Sequence, residues 1–155
     1  MSIGNLLGMG LAEGSVAPDF SLKAADHKIH TLSQYRGQKI LLYFYPQAFT
    51  PGCTAQACSF RDEYTSLRNQ GFTLLGVSTD EVSALQSFTQ KYKLPFAVLS
   101  DANKKVSKAY QVLMPLVGKS NRVTFLIDEE GIIKKVFRFL PWKTYAQSIV
   151  EKNSF

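Results

Sequence analysis

The stretch KILLYFYPQAFTPGCTAQACSFRD, residues 39–62, decides the fold. Residues 39–45 are almost continuously apolar and rich in strand-forming side chains, which is typical of a central strand buried on both faces of a sheet. Pro46 ends this strand. Over residues 54–69, apolar side chains recur every three or four positions, which is helical spacing. These chain positions are Ala57, Phe60, Tyr64 and Leu67. The stretch therefore predicts a buried strand, a turn and a helix.

The rest of the chain extends this unit into an alternating pattern. A hairpin is predicted at residues 19–32, where DFSLKA alternates apolar and polar residues before a turn and a return strand. Further strands are predicted at residues 72–78, 96–100, 122–128 and 132–139, and further helices at residues 82–92, 103–110 and 142–150. Strands that alternate with helices need a mixed sheet covered on both faces.

This pattern predicts a single α/β domain over residues 1–155 with a thioredoxin-like fold. A central mixed β-sheet flanked by helices would carry an N-terminal β-hairpin and an inserted strand and helix near residues 96–110. Residues 1–14 are interrupted by glycines and are expected to be a flexible or loosely docked arm.

The composition excludes several classes of protein. With 45% hydrophobic and 19% charged residues, the chain can bury a core and is not disordered. No apolar run approaches the ~20 residues that span a bilayer, and the first residues lack the features of a signal peptide. Two cysteines are too few for a disulfide framework and favour a reducing compartment, so a cytoplasmic protein without membrane association is expected.

The net charge of +6 is concentrated in one segment. Residues 91–122 contain seven of the 18 basic residues and one acid, Asp101. A solvated basic face is the preferred interpretation, and attraction of an anionic protein or a nucleic acid is the alternative. No RNA-binding motif with interleaved aromatic residues is present, so no nucleic-acid partner is expected.

The two cysteines of the chain, Cys53 and Cys58, lie at the start of the predicted helix. Unpaired amide N–H groups and the positive end of the helix dipole meet at a helix N-terminus, and both favour a thiolate at Cys53 over a thiol. The alternative is a small buried hydrophobic residue, the commonest role of a cysteine.

The spacing of the two cysteines limits how they can bond. Five residues along an ideal helix place two Cα atoms roughly 8.7 Å apart, beyond the ~7 Å limit for a disulfide. A bond between Cys53 and Cys58 therefore requires the first turns of the helix to unwind.

The sequence YPQAFTPGC fits the pattern P-x-x-x-T-x-x-C, and through it the chain resembles the peroxiredoxins. TPGCTAQACSFRD and RVTFLID are similar to the Q-type subgroup, also called bacterioferritin comigratory proteins, and the similarity extends from APDFSL through the IDEEGII hairpin. The resemblance implies that Cys53 is the peroxidatic nucleophile and Cys58 the resolving cysteine. It also implies that Thr50 orients the peroxide, that Pro46 shields the site, and that Arg122 holds the thiolate and polarises the peroxide.

The resemblance further implies an activity and a partner. A peroxiredoxin reduces hydrogen peroxide and organic hydroperoxides through a sulfenic acid, here on Cys53, which condenses with a second thiol to give a disulfide. Cys58 is the only other cysteine of the chain. Thioredoxin or a similar dithiol protein is the implied reductant, antioxidant defence the implied role and a monomer the implied state. No cofactor and no metal are implied.

The residues on their own leave other interpretations open. Without the resemblance, Arg122 is a surface arginine at a strand start, Thr50 a helix N-cap and Pro46 an ordinary strand end. His27 and His30, together with the two cysteines, have the composition of a zinc site. The histidines precede the cysteines, however, which is the reverse of the usual order in zinc fingers. Solvent-facing histidines on a strand are therefore the preferred interpretation. A thiol–disulfide oxidoreductase acting on proteins and a redox-responsive binding protein are the alternative functions.

The loop before the predicted helix departs from the family pattern. Between Pro46 and Thr50 the family often has charged or polar residues, whereas this chain has Gln47, Ala48 and Phe49. The entrance to the site is therefore expected to be more apolar, which favours organic hydroperoxides over hydrogen peroxide.

Overall fold

Seven strands form one mixed sheet in the computed structural model, which describes residues 8–152. The strands are β1 Ser21–Ala24, β2 Ile29–Thr31, β3 Lys39–Phe44, β4 Phe72–Ser78, β5 Ala97–Ser100, β6 Val123–Ile127 and β7 Ile133–Phe137. Their order across the sheet is β2-β1-β5-β4-β3-β6-β7. The pairs β3–β4 and β4–β5 are parallel, and the remaining neighbours are antiparallel. The predicted mixed sheet with an N-terminal hairpin is confirmed.

Five α-helices pack against this sheet within the described residues. They are α1 Pro51–Asp62, α2 Tyr64–Asn69, α3 Val82–Tyr92, α4 Lys105–Ala109 and α5 Tyr145–Lys152, and a 3-10 helix at Leu32–Tyr35 links β2 to β3. The predicted insertion corresponds to β5 and α4. Within residues 8–152, no helix combines the length and the apolar character needed to cross a membrane.

The central strands are buried on both faces because apolar side chains occupy successive positions. Along β3, Leu41 and Tyr43 belong to one apolar cluster, and Leu42 and Phe44 belong to the other. Helices α1, α3 and α5 close the first cluster through side chains that include Phe60, Leu85, Phe88 and Ile149. Each such fully buried side chain contributes about 1.5–3 kcal/mol, so the two clusters fix the position of β3 and of the loop that follows it.

The helix predicted over residues 54–69 is divided in the structure. It begins earlier, at Pro51, because proline at the first helical position needs no amide partner and its backbone angle suits the helix. It is interrupted at Glu63, which separates α1 from α2. The apolar spacing continues across Glu63, so periodicity alone does not detect a break of one residue.

The segment expected to be a flexible or loosely docked arm is partly described. Residues 1–7 lie outside the described residues. Residues 8–14 are docked on the body: the amides of Gly10 and Leu11 donate to the carbonyls of Gln111 and Tyr110 (2.8 and 3.0 Å). Gly10 has φ 96°, and a Cβ there would lie 2.9 Å from the Phe125 ring, so glycine permits this close approach.

The last helix begins three residues later than predicted. The prediction was 142–150, whereas α5 spans Tyr145–Lys152. Phe139, in a left-handed conformation (φ 60°), and Pro141 precede it. The difference leaves Trp142 outside the helix, in the connection between β7 and α5.

Candidate active site

Cys53 lies in the first turn of α1, directly after the loop that follows β3. Thr50 is the N-cap residue, with extended backbone angles (φ −73°, ψ 150°), and Pro51 is the first helical residue. A helical hydrogen bond runs from the Thr54 amide to the Thr50 carbonyl (2.9 Å), so the Gly52 and Cys53 amides lie ahead of the helical ladder. Cys53 is only 1% exposed. The predicted position of Cys53 in the first turn is confirmed.

Arg122 immediately precedes β6, which pairs antiparallel with β3, so its side chain reaches the edge of the sheet where Cys53 lies. Its Nη1 donates a hydrogen bond to Gln56 Oε1 (2.6 Å). The guanidinium carbon lies 5.2 Å from the centroid of the Trp142 ring, and Nη2 is 3.1 Å from the position that a Cβ on Gly52 would take. The guanidinium is thus held against the turn of α1 that carries Cys53.

Gly52 permits this close packing. A Cβ at residue 52 would lie 2.9 Å from two atoms of the Trp142 ring, a separation that a real side chain would have to relieve by moving the ring. Without that Cβ, Trp142 and Arg122 pack directly on the helix backbone. We call the contacts of Arg122 and Trp142 with Gly52, together with the hydrogen bond from Arg122 to Gln56, the first-turn contacts.

Gln56 is a candidate functional residue that sequence reasoning missed. It is fully buried on α1, and its Nε2 has no hydrogen-bond partner among the described residues. The bond from Arg122 to its Oε1 therefore offsets part of the cost of burying the amide. A signal for Gln56 exists in the sequence: Cys53, Gln56, Ala57 and Phe60 follow the spacing of a core-facing helix stripe, and glutamine is the polar exception in that stripe.

Trp142 was also missed as a candidate. Its ring is about half exposed at 53%, and it contacts a helix that is distant in the sequence. No local pattern in residues 138–144 indicates that contact.

The loop between β3 and α1 positions Thr50. Thr50 Oγ1 donates a hydrogen bond to the Gln47 carbonyl (2.7 Å), so the hydroxyl oxygen keeps its lone pairs as acceptors. Thr50 occupies the N-cap position, but its side chain makes no capping hydrogen bond. Pro46, a half-buried residue of the same loop, lies two positions after the end of β3 at Phe44.

Asp80, which follows β4, holds the middle of the same loop. Its Oδ2 accepts hydrogen bonds from the Ala48 amide (2.8 Å) and from Ser78 Oγ (2.7 Å). Ser78 is fully buried. A carboxylate at the end of the neighbouring strand therefore fixes the approach of the loop to α1.

Phe49 presents a partly exposed apolar ring in the loop that leads to Cys53, and an apolar entrance to the site stays a prediction. Its backbone is left-handed (φ 68°), a conformation that costs a non-glycine residue free energy. The ring is 44% exposed and packs edge-on against Phe88, with centroids 5.2 Å apart. Tyr92 lies slightly farther away, at 6.4 Å between centroids.

Cys58 is half-buried in the same helix as Cys53, and both are free cysteines. Because α1 is continuous from Pro51 to Asp62, the two residues keep the separation of a regular helix. That separation agrees with the prediction that a bond between them requires unwinding. The resolving role of Cys58 stays a prediction.

Buried tyrosines belong to the same apolar cluster as Cys53. Burial raises the pKa of Tyr43 well above its usual value, and interactions with the neighbouring Tyr45 and Cys53 raise it further. Burial raises the pKa of Tyr145 to about 12, although its hydrogen bond with Thr124 acts in the opposite direction. These phenols therefore stay protonated at neutral pH and do not compete with a thiolate for a nearby cation.

The zinc-like set considered from the sequence is not brought together. His30 lies in the outer strand β2, separated from β3 by β1, β5 and β4. Its Nδ1 is hydrogen-bonded to the hydroxyl of Tyr35 (2.7 Å). Within the part of the chain that the structure describes, no group of three or more His, Cys, Asp or Glu residues is placed to hold a metal ion.

Comparison with known sequences identifies the family. Residues 14–136 match the model of the AhpC/TSA family. Peroxiredoxin Q, chloroplastic, from Triticum aestivum is 39% identical over 142 residues, covering 90% of this chain and 65% of that protein. Putative peroxiredoxin bcp from Coxiella burnetii is 44% identical over 135 residues, covering 83% of this chain and 89% of that protein. The chain thus spans 65% of the length of the plant relative and most of the bacterial one.

Solved structures agree with this result. Peroxidoxin BcpB from Mycobacterium tuberculosis superposes with a TM-score of 0.85 at 29% identity, covering 91% of this chain and 95% of that one. A PrxQ mutant from Xylella fastidiosa superposes with a TM-score of 0.82 at 27% identity, covering 92% of this chain and 96% of that one. A bacterioferritin comigratory protein from Xanthomonas campestris is described by its alkyl peroxide reduction activity. It superposes with a TM-score of 0.80 at 26% identity, covering 86% of this chain and 88% of that one.

These neighbours confirm the predicted thioredoxin-like α/β fold. The similar sequences from Triticum aestivum and Coxiella burnetii confirm the resemblance to Q-type peroxiredoxins that the motif around Cys53 indicated. The chain belongs to the AhpC/TSA family, and its relatives within that family are peroxiredoxins of the Q, or bacterioferritin comigratory, type.

Proposed function

We propose that the chain is a thiol peroxidase that reduces hydrogen peroxide and organic hydroperoxides with Cys53 as the nucleophile. The observation that carries the proposal is the position of Arg122, whose guanidinium is held by the first-turn contacts against the turn of a buried cysteine. A thiolate in a buried site needs a fixed positive charge nearby, and the N-terminus of α1 adds its dipole to that charge. Membership of the AhpC/TSA family supports the same activity.

The first chemical step transfers one oxygen atom to sulfur. The Cys53 thiolate attacks the terminal oxygen of the hydroperoxide, so that an S–O bond forms and the O–O bond breaks. The leaving alkoxide or hydroxide takes a proton and departs as alcohol or water, and Cys53 becomes a sulfenic acid. Negative charge develops on the leaving oxygen, and fixed hydrogen-bond donors aimed at that oxygen lower the barrier.

The residues around Cys53 supply those interactions in the proposed mechanism. The Arg122 guanidinium stays charged and offers several donors in a fixed plane, and the Cys53 amide adds a donor from the helix terminus. The proton of the Thr50 hydroxyl is engaged by the Gln47 carbonyl. Its oxygen is therefore available to accept a hydrogen bond from the O–H group of the peroxide, which orients the substrate.

The second step forms a disulfide in this proposal. The Cys58 thiol condenses with the Cys53 sulfenic acid, with loss of water. The first turns of α1 must unwind before the sulfur atoms meet, because the regular helix keeps the residues too far apart. A dithiol protein of the thioredoxin kind then reduces the disulfide and returns both thiols, and the reducing cytoplasm is the compartment that suits this cycle.

Organic hydroperoxides are the proposed preferred substrates. The half-exposed ring of Phe49 beside the site offers an apolar contact to an alkyl group. The similar protein from Xanthomonas campestris is described as reducing alkyl peroxides, which supports this choice.

Thiol titration tests the proposed function. The reduced protein is mixed with one equivalent of hydrogen peroxide, and free thiols are counted with time. Both thiols should be lost in a monomer, and Cys53→Ser should abolish the reaction. Cys58→Ser should block turnover supported by thioredoxin while leaving the first oxidation intact. Retention of peroxide-driven turnover in Cys53→Ser would contradict the activity, and unchanged turnover in Cys58→Ser would contradict the resolving role.

A further inference from the structure

Four connections meet at the edge of the sheet where Cys53 lies. They are residues 45–50 after β3, 79–81 after β4, 101–122 between β5 and β6, and 138–144 after β7. Parallel pairing brings the ends of β3, β4 and β5 to the same edge, and antiparallel pairing adds the start of β6 and the end of β7. We call these four connections the active-site edge.

Exposed apolar side chains are concentrated on the active-site edge. Seven large hydrophobic residues are exposed within residues 8–152, and five of them lie on these connections: Phe49, Leu116, Val117, Phe139 and Trp142. Leu116 is fully exposed (108%), and its φ of 67° lies in the left-handed region. Exposed apolar side chains grouped among polar residues mark interaction sites.

The tip that displays two of these side chains, residues 116–117, is fixed by hydrogen bonds. The Met114 amide donates to the Lys119 carbonyl (2.9 Å), and the Gly118 amide donates to the Met114 carbonyl (3.3 Å). The Lys119 ammonium contacts the side chain of Gln47 in the loop before α1. The apolar tip is therefore held in place beside the loop that leads to Cys53, as a preformed contact surface would be.

The active-site edge is also positively charged. Its connections contain three acidic residues, Asp80, Glu81 and Asp101, and seven basic ones. Asp101 is fully buried and accepts a hydrogen bond from Ser107 Oγ (2.7 Å), and Asp80 is bonded to the Ala48 amide. Two of the three acids are thus engaged within the protein. The basic residues are Lys104, Lys105, Lys108, Lys119, Arg122, Arg138 and Lys143.

We propose that the active-site edge docks an acidic protein that carries a dithiol, with an apolar contact at residues 116–117. Charge complementarity selects this partner, because a basic surface with exposed apolar side chains fits an acidic surface around an apolar contact. A second copy of the chain is a poor occupant, since a two-fold contact would set seven basic residues against the same seven.

The inference rests on the proposed function, because the docked dithiol acts on the disulfide between Cys53 and Cys58. One partner thiolate attacks a sulfur of that disulfide and forms a mixed disulfide. The second partner thiolate displaces the remaining sulfur of the chain. Two electrons pass to Cys53 and Cys58, which take up the two protons as thiols, and the partner leaves as a disulfide.

Two short peptides test the charge selectivity. Both contain the same Cys-x-x-Cys core with an adjacent leucine, and one is flanked by glutamates and the other by lysines. The protein is oxidised with one equivalent of hydrogen peroxide, and its reduction by each peptide is timed. The glutamate peptide should react about tenfold faster at low salt, and the difference should shrink in about 1 M salt, where the Debye length is about 3 Å. Equal rates, or faster reduction by the lysine peptide, would overturn the proposal.

Charge-reversed variants locate the effect on the molecule. Lys119→Glu combined with Lys143→Glu should reduce the preference for the glutamate peptide. Lys28→Glu combined with Lys135→Glu changes the net charge equally at exposed positions away from the active-site edge, and should preserve the preference. If the second pair changes the preference as much as the first, the effect is one of net charge and the docking proposal fails.

Apolar variants test the tip separately. Leu116→Ser combined with Val117→Ser should slow reduction by both peptides by a similar factor. Val16→Ser combined with Ile29→Ser removes exposed apolar side chains elsewhere and should change neither rate. Reduction by dithiothreitol, which is uncharged and needs no docking surface, should be the same in all variants. An unaltered peptide rate in the tip variant would remove the apolar contact from the proposal.

Calorimetry separates this inference from the proposed function. The same peptides, with serine in place of both cysteines, are titrated into the reduced protein, where binding needs no disulfide. Selective binding of the glutamate peptide without disulfide formation would support the docking surface and contradict the peroxidase cycle. The opposite result would be a disulfide between Cys53 and Cys58 that dithiothreitol reduces, together with equal binding of the two peptides. That result would support the peroxidase cycle and contradict the docking surface. The docking proposal would also fail if sedimentation showed that the protein is a dimer and that Leu116→Ser combined with Val117→Ser disrupts this dimer.

Discussion

Replacing Gln56 with leucine should slow the reaction of Cys53 with peroxide. Gln56 Oε1 accepts a 2.6 Å hydrogen bond from Arg122 Nη1, and a hydrogen bond to a charged group contributes about 1.5–3 kcal/mol. In the proposed mechanism, that bond holds the guanidinium in position for the leaving oxygen. Its loss should raise the barrier by a similar amount, which corresponds to a rate about 10- to 100-fold lower.

The free energy of unfolding of the same variant should stay constant or increase. Gln56 is fully buried and its Nε2 has no partner among the described residues. Such an unsatisfied group costs about 1–3 kcal/mol, and leucine of similar size removes that cost. The guanidinium of Arg122 is half-buried and regains water. A rate that falls without a fall in Tm distinguishes a positioning role from a structural one.

Stopped-flow mixing with excess hydrogen peroxide measures the rate. The single tryptophan of the chain, Trp142, stacks on Arg122 and supplies the fluorescence signal. Gln56→Glu keeps an acceptor oxygen and should stay closer to wild type than Gln56→Leu. Gln90→Leu, at an exposed position on α3, is the matched control and should leave the rate unchanged. A rate for Gln56→Leu within about twofold of wild type, or a loss matched by a lower Tm, would refute the reasoning.

Three further substitutions test other parts of the site. Gly52→Ala should lower the peroxide rate about tenfold, because its methyl group would meet the Trp142 ring at 2.9 Å; an unchanged tryptophan emission spectrum would contradict the displacement. Phe49→Asp should lower kcat/KM for cumene hydroperoxide relative to hydrogen peroxide, and no shift in the ratio would remove the apolar-entrance hypothesis. Asp80→Ala should destabilise the fold by about 2–3 kcal/mol in urea unfolding, because an amide and a buried hydroxyl lose their acceptor. Glu81→Ala is its exposed control, and equal midpoints for the two variants would contradict that prediction.

The strands and the position of Cys53 are predictable from the sequence because their signals are local. β3 and β4 are mostly apolar, Pro46 follows the first and Gly71 precedes the second, and burial on both faces favours that pattern. Pro51 and the residues after it specify the start of α1 within a few positions. The placement of Cys53 follows from those boundaries alone.

The first-turn contacts are not predictable in the same way. Gly52, Arg122 and Trp142 come from three segments that meet only when the sheet is assembled, so no window of sequence contains the signal. Gln56 is intermediate, because a polar residue in a core-facing stripe indicates burial but does not identify its partner. The break at Glu63 escapes prediction because the apolar spacing continues through it.

The first-turn contacts stabilise the reactive site and the folded state of α1 together, but the two steps of the proposed cycle should respond differently to the loss of one of them. Cys58 reaches Cys53 only when the first turns of α1 unwind, and unwinding breaks the contacts of Arg122 with Gly52. In the Gln56→Leu variant, the phase whose rate is proportional to peroxide concentration should slow, because the Arg122 guanidinium loses its acceptor. The phase that is independent of peroxide concentration, disulfide formation, should keep its rate or slow only slightly. The hydrogen bond that unwinding would break and the unpaired amide that unwinding would expose offset each other, as they do in global unfolding. A faster second phase would mean that the folded helix loses more with the bond than it gains from leucine, and a lower Tm should then accompany it.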